Sequence, residues 1–316
     1  MQTGCLTTIL SAVLVFALLC CLCGCFMRAN APSIPTQSTP PTETSQPISP
    51  TESAPPSEPP TEAPTESRIG WYEDADGKRY YDETGTMLTG WATIDELTYY
   101  FREDGTMAQG KVTIDGVNHF FTSAGQSIIL VNPWHLLPEG YEPDLVALPS
   151  ALSTSGGQVD RSCYDALVQM LTDCNKECPR ACVVSTYRDY DYQVKLFKRK
   201  INFYLDQGYD QAEAEKLAAT VIAIPGTSEH HTGLAVDIVD TRSWDLEETQ
   251  ADLPAQKWLM ENAWKYGFIL RYPSDKTEIT GIIYEPWHYR YVGTAVAAEL
   301  HASGQTLEEY IDALTR

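Results

Sequence analysis

The chain has 316 residues, 43% of them hydrophobic, and a formal net charge of −21. That length supports one good-sized domain plus smaller modules. The acidic field repels polyphosphate, which argues against nucleic acid as a partner.

Five of the nine cysteines fall within the first 25 residues. The segment Cys5 to Met27 is apolar and uncharged, and it is long enough to span a bilayer. Residues 1–30 are therefore expected to be an export segment. LCGC (22–25) resembles a lipoprotein signal with Cys25 as the lipidated residue; an uncleaved anchor and ordinary cleavage are the alternatives. Each would place the remainder outside the cell, tethered to the outer face of the membrane in the first two cases. Residues 31–67 follow, with 11 prolines and no aromatic residue. Such a composition cannot form a core and predicts a disordered tether.

Residues 68–127 carry an internal repeat. Gly70-Trp71, Gly90-Trp91 and Gly110-Lys111 recur at one spacing, as do Tyr80-Tyr81, Tyr100-Phe101 and Phe120-Phe121. Each unit predicts a short hairpin closed by a glycine turn, and single hairpins must stack to bury their aromatics. The spacing resembles the choline-binding and related glucan-binding repeats of Gram-positive surface proteins. That resemblance implies adhesion to a wall polymer, choline or glycan, through aromatics such as Trp71, Trp91 and Tyr99. The second tryptophan of that pattern is replaced here by Arg79, Tyr99 and His119, and the third unit has Lys111 in place of tryptophan.

From residue 128 to 316 the composition is that of a globular domain. Helical spacing covers 160–177, ACVVSTYR (181–188) predicts a buried strand, and 190–207 predicts a helix ended by Gly208. Asp210 and Glu213 have capping-box spacing for a third helix. LAVDIV (234–239) predicts a strand, 254–266 a helix ended by Gly267, and EITGIIYEPWHYRYVG (278–293) a hairpin. Helices first and paired strands later indicate an α+β fold.

SEHHTGLAVD (228–237) holds the first candidate ligands. The Thr232-Gly233 turn breaks strand parity, so His230 and Asp237 can reach one ion, and Ala235 on the same strand face leaves room for it. A third ligand is available in YEPWHYRYV (284–292). Glu285 and His288 would lie on opposite faces of a regular strand, so a shared site requires a bend at Pro286-Trp287. With His230, Asp237 and His288 as ligands, one zinc ion keeps an open position, and Glu285 is placed to act as base.

S-E-H-x-x-G-x-A-x-D followed by E-P-W-H resembles the zinc D-alanyl-D-alanine carboxypeptidases of the VanY type, as do STYRDYDYQ, AWKYGFILRYP and ITGIIYEPWHYRYVG. The resemblance implies a small α+β domain with a central antiparallel sheet, flanking helices and one zinc. It implies peptidoglycan stem peptides as substrate, His230, Asp237 and His288 as ligands, Glu285 as catalytic base and Arg188 as oxyanion stabiliser. Ser228 and Gln193 match positions near the substrate, and His231 matches a variable position. Asp189 departs from the serine common there. A non-catalytic wall-binding protein and a zinc endopeptidase are the competing readings. The four later cysteines, Cys163, Cys174, Cys178 and Cys182, fall outside the metal pattern. A bridge between Cys174 and Cys182 and free thiols are both compatible with the spacing.

Overall fold

The computed structural model describes residues 68–95, 97–115, 117–137, 140–154 and 156–315. The expected export segment and the Pro-rich tether lie outside these residues. Among the described residues, no helix is long and apolar enough to cross a membrane.

The repeats form three antiparallel hairpins: β1 (Gly70–Asp74) with β2 (Gly77–Tyr81), β3 (Gly90–Ile94) with β4 (Leu97–Phe101), and β5 (Gly110–Ile114) with β6 (Val117–Phe121). Register places Trp71 opposite Tyr80, Trp91 opposite Tyr100 and Lys111 opposite Phe120. Stacking is enforced by steric fit between units. A β-carbon on Gly105 would lie 2.2 Å from the Met87 sulfur and one on Gly125 2.3 Å from the Met107 sulfur, so the second and third glycine turns each receive the preceding unit's methionine. A short strand β7 (Ser127–Ile128) closes the series against β6.

The last unit does not stand apart from the rest of the chain. Phe120, Ile128 and Leu130 share a hydrophobic core with Val296 and Leu300 of α6 (Thr294–Ser303) and with Leu307, Tyr310 and Ile311 of α7 (Leu307–Leu314). Each apolar side chain of that size contributes roughly 1.5–3 kcal/mol on burial.

The remaining elements are β8 (Leu145–Ala147), β9 (Gln158–Asp160), α1 (Arg161–Glu177), β10 (Ala181–Ser185), α2 (Tyr190–Asp206), α3 (Gln211–Ala219), β11 (Ala235–Asp240), α4 (Pro254–Asn262), β12 (Phe268–Leu270), α5 (Thr277–Thr280) and β13 (His288–Tyr291). Asp160, Asp189 and Asp210 cap the N-termini of α1, α2 and α3, each accepting a backbone N–H. The expected helix over 254–266 is α-helical only to Asn262 and continues as a 3₁₀ turn to Tyr266.

The central sheet has the order β10-β11-β13-β12, with every pair antiparallel. Its two faces differ because strand side chains alternate. Val236, Ile238, Tyr289 and Phe268 point into the main core with Leu167, Met170 and Leu171 of α1 and Leu259 of α4. The opposite face carries Asp237, His288 and Arg290.

Residues 278–293 do not form the expected hairpin. Only His288–Tyr291 is a strand, and its partners β11 and β12 come from earlier in the chain. The segment before it forms the short helix α5 and then a wall of the cleft, because Gly281 takes a left-handed backbone (φ 80°) and Pro286 has no N–H for a ladder. Cys163, Cys174, Cys178 and Cys182 are free thiols, two of them buried.

Candidate metal centre

Asp237 and His288 face each other across the β11–β13 ladder, so their side chains emerge side by side on the polar face. His230 arrives from the 3₁₀ turn Glu229–Thr232, which ends at Gly233 in the left-handed region (φ 70°). A β-carbon there would also lie 2.8 Å from the Asp160 backbone nitrogen, so glycine is required on two counts. The bend expected at Pro286-Trp287 is present. The His288 N–H donates to the Glu285 carbonyl at 3.1 Å, and this turn lays the Glu285 carboxyl 3.6 Å from His288 Nδ1.

One donor atom from each of His230, Asp237 and His288 lies within 4.8 Å of the others, and all three residues are buried. Asp237 Oδ1 is 3.4 Å from His230 Nε2 and 3.2 Å from His288 Nδ1. Two donors bonded to one ion at about 2 Å stand about 3–4 Å apart, so both pairs through Asp237 already have that separation.

Three observations show that a cation fits. Asp237 Oδ1 is buried without a hydrogen-bond partner, which is costly unless a positive charge meets it. His230 Nδ1–H donates to the Thr186 carbonyl at 2.7 Å, and His288 Nε2–H points to the Glu229 carboxylate at 3.4 Å. Those bonds fix both tautomers and turn the unprotonated nitrogens, Nε2 of His230 and Nδ1 of His288, toward Asp237. The third concerns charge. Burial pushes His230 down to about 4, with Arg188 adding to the effect. Burial also opposes a charge on His288, yet the neighbouring Asp237 and Glu229 carboxylates raise it to about 9. The centre thus favours one positive charge beside Asp237.

A pH dependence follows from that balance. Metal requires a neutral imidazole, so below about pH 9 the ion must displace a proton from His288. Apparent metal affinity should rise with pH and flatten above that value, with proton release measurable by calorimetry in buffers of different ionisation enthalpy. An affinity independent of pH between about 6 and 8 would show that His288 carries no proton for the ion to displace there.

Glu285 and Ser228 line the same cleft, of about 200 Å³, together with Arg188, Lys200, Tyr272 and Trp287. Burial, opposed by His288, raises the Glu285 carboxyl to about 8. Arg188 lies beyond the end of β10, on the connection to α2. Its Nη2 donates to Asp237 Oδ2 at 2.7 Å and its Nε to Ser185 Oγ at 3.0 Å, while Asp189 is occupied in capping α2. Gln193 stands behind this arginine and is fully buried. Its Oε1 accepts from Arg188 Nη1 at 3.4 Å and its amide donates to the Ala223 carbonyl, so it supports the arginine instead of lining the cleft.

Two residues acquire roles that sequence reasoning missed. His231 donates through Nδ1 to the Arg188 carbonyl, accepts the Gly226 N–H, and stacks on Tyr190. It is a strut for the arginine. Glu229 is completely buried and meets His288, Arg271 and Arg290. An acidic residue flanked by a serine and two histidines is a signal only in retrospect, since its partners lie far along the chain.

In the repeats, the Trp71 ring packs edge-on against Tyr80 and Tyr99, both at 5.1 Å, and Trp91 against Tyr100 and His119 at 5.2 and 4.9 Å. Both tryptophans are exposed. The Lys78 ammonium sits 4.4 Å over Trp71, so the chain's own cation takes one aromatic face; the equivalent residue in the next unit is Thr98.

A buried His–Asp–His set opening into a cleft beside a carboxyl group is the centre of a mononuclear metallohydrolase. The family model described as VanY, D-alanyl-D-alanine carboxypeptidase, matches residues 156–294, and that of the choline-binding repeat matches 88–129. A D-alanyl-D-alanine carboxypeptidase of Enterococcus faecalis is 38% identical over 59% of this chain and 66% of its own length. The chain thus spans just under two thirds of that relative. The structure of VanYB in complex with D-alanine-D-alanine superimposes with a TM-score of 0.53 at 38% identity, covering 58% of this chain and 96% of that one. The LD-carboxypeptidase LdcB matches with a TM-score of 0.53 at 35% identity, over 66% of this chain and 95% of that one. A VanY D,D-pentapeptidase variant from a VanB-type resistance cassette, 39% identical, was solved with Zn(II). The chain belongs to the VanY D-alanyl-D-alanine carboxypeptidase family.

Proposed function

We propose that this chain is a zinc-dependent carboxypeptidase that removes the C-terminal D-alanine from peptidoglycan stem peptides outside the cell, tethered by its N-terminal segment and held at the wall by its repeats. The observation that carries the reading is the orphaned Asp237 Oδ1 between two imidazoles of fixed tautomer, with Glu285 alongside. His230, Asp237 and His288 would hold the zinc, which would supply Lewis acidity toward a carbonyl and a water molecule.

The chain's own residues do the rest. Glu285 takes a proton from the attacking water and delivers it to the leaving amine, a role suited to a buried carboxyl of raised proton affinity. Arg188 fixes the Asp237 carboxylate and brings a positive charge to the cleft where the oxyanion develops. Ser228, on the cleft wall, is placed to orient the peptide.

Both D,D- and L,D-acting structures resemble this chain, so the test is digestion of defined tri-, tetra- and pentapeptide stems with the products weighed. Loss of D-alanine from the pentapeptide alone supports D,D-action, and loss from the tetrapeptide alone supports L,D-action. Cleavage within a cross-linked dimer would indicate an endopeptidase, and no hydrolysis with zinc bound would leave a binding protein.

The repeats raise local substrate concentration by tethering. Because the third hairpin shares a core with α6 and α7, the test deletes the first two and keeps the third. Deleting residues 68–107 should leave kcat/KM on a soluble peptide within about twofold, since the deleted units do not touch the cleft. Release of D-alanine from intact walls should fall. Undiminished activity on walls would remove this role from the repeats.

A further inference from the structure

We infer that helix α7, which contributes no residue to the cleft lining, is part of the support that holds the zinc ligand His288, acting through Glu308 and Glu229 as positioning residues. The inference rests on the zinc reading above. The ligand atom of His288 is Nδ1, and rotation of the ring would exchange it with Nε2. Among the described residues, the group that meets Nε2 is the Glu229 carboxylate, 3.4 Å away.

Glu229 is itself held from the other side. Its Oε1 accepts from Arg271 Nε at 2.8 Å and from Arg290 Nη1 at 2.7 Å. With two guanidiniums donating to one oxygen, the other oxygen of Glu229 is left to accept from His288. Arg271 is a fork with two ends: its Nη1 and Nη2 donate to Glu308 of α7 at 2.9 and 2.5 Å. Glu308 in turn accepts from Asn132 Nδ2 at 3.0 Å, and Arg290 Nη2 donates to the Ile129 carbonyl at 2.6 Å. Two buried arginines and two glutamates therefore balance, and the chain of bonds runs from α7 and the segment after the repeats to the metal ligand. A fork anchored at both ends has one orientation; released from Glu308, Arg271 can turn and carry Glu229 off His288.

Helix α7 has a second anchor that provides the control. Lys276 Nζ meets the Glu309 carboxylate at 3.1 and 3.3 Å, and this pair leads to no ligand. The experiment measures zinc affinity of the full chain by chelator competition, with the absorption spectrum of the cobalt-loaded protein as a report on ligand geometry. Glu308→Gln should weaken zinc about three- to tenfold and alter the cobalt spectrum, while Lys276→Met should leave both within about twofold of wild type. Glu229→Gln should weaken zinc roughly 10- to 100-fold, the usual loss for an outer partner of a ligating histidine. That variant leaves two buried arginines short of a counter-charge and can fail to fold, which is why Glu308→Gln decides the matter. Equal zinc affinity in Glu308→Gln and Lys276→Met, whether both normal or both reduced, overturns the inference, because α7 would then act only through general stability. A wild-type chain that binds no zinc instead overturns the zinc reading on which it rests.

Discussion

Glu285→Gln should retain zinc and lose about 10²–10⁴ in kcat on a D-alanine-terminated peptide, the range for removing a positioned general acid–base. The carboxyl lies 3.6 Å from His288 Nδ1, so it borders the ligand set without being needed to complete it. Glutamine has the same shape but neither takes nor gives the proton. Zinc content and kcat must be measured on the same preparation. Equal zinc loss in Glu285→Gln and His288→Ala would make Glu285 a ligand and not the base. A stability effect should accompany the change in the metal-free protein. The folded chain holds the Glu285 carboxyl up at about 8, against an ordinary 4.5, so folding binds its proton more tightly than unfolding does. Its contribution is fully present below about 4.5 and is lost as pH rises toward 8. Wild type should therefore melt progressively lower than Glu285→Gln across that window, and parallel melting curves would show that burial does not act on this group.

Much of the centre was legible before the fold. The repeated Gly-aromatic spacing marks hairpins because a two-residue period and a glycine turn are local properties. Asp237 and Ala235 share a strand face for the same reason, and Pro286 signals the bend that joins Glu285 to His288. What escaped are relationships set by distant pairing. The local pattern around His288–Tyr291 suggests half of a hairpin, whereas its partners β11 and β12 lie well before it in the chain. Glu229 meets partners 42, 59 and 61 positions away, and no local pattern encodes which buried cation will face an acid. Gln193 matches a position near the substrate, but it is buried with its amide donating to the Ala223 carbonyl, a partner 30 positions away. The docking of the third hairpin on α6 and α7 was hidden for a different reason. Its apolar residues satisfy the repeat pattern and the interface together, so periodicity alone cannot separate the two uses.

Arg188→Ala should lower kcat about 10²–10³, the loss typical of one oxyanion donor, and should also weaken zinc. The second effect comes from geometry that the strand reading did not anticipate. Arg188 Nη2 is bonded to Asp237 Oδ2 at 2.7 Å, so the arginine orients a metal ligand as well as charging the cleft. Asp237 is almost wholly buried, and removing its cation leaves a carboxylate that burial penalises and only the imidazoles compensate. The two roles separate experimentally. With zinc held saturating, any remaining fall in kcat belongs to the oxyanion, while the shift in zinc affinity belongs to Asp237. Lysine carries the charge but a single point of donation, so Arg188→Lys cannot reach Asp237, Ser185 and Gln193 together. It should recover part of the rate and little of the zinc affinity. If Arg188→Ala keeps kcat within about threefold of wild type at saturating zinc, a loss under about 1 kcal/mol, then Arg188 only positions Asp237 and the oxyanion is stabilised by another group.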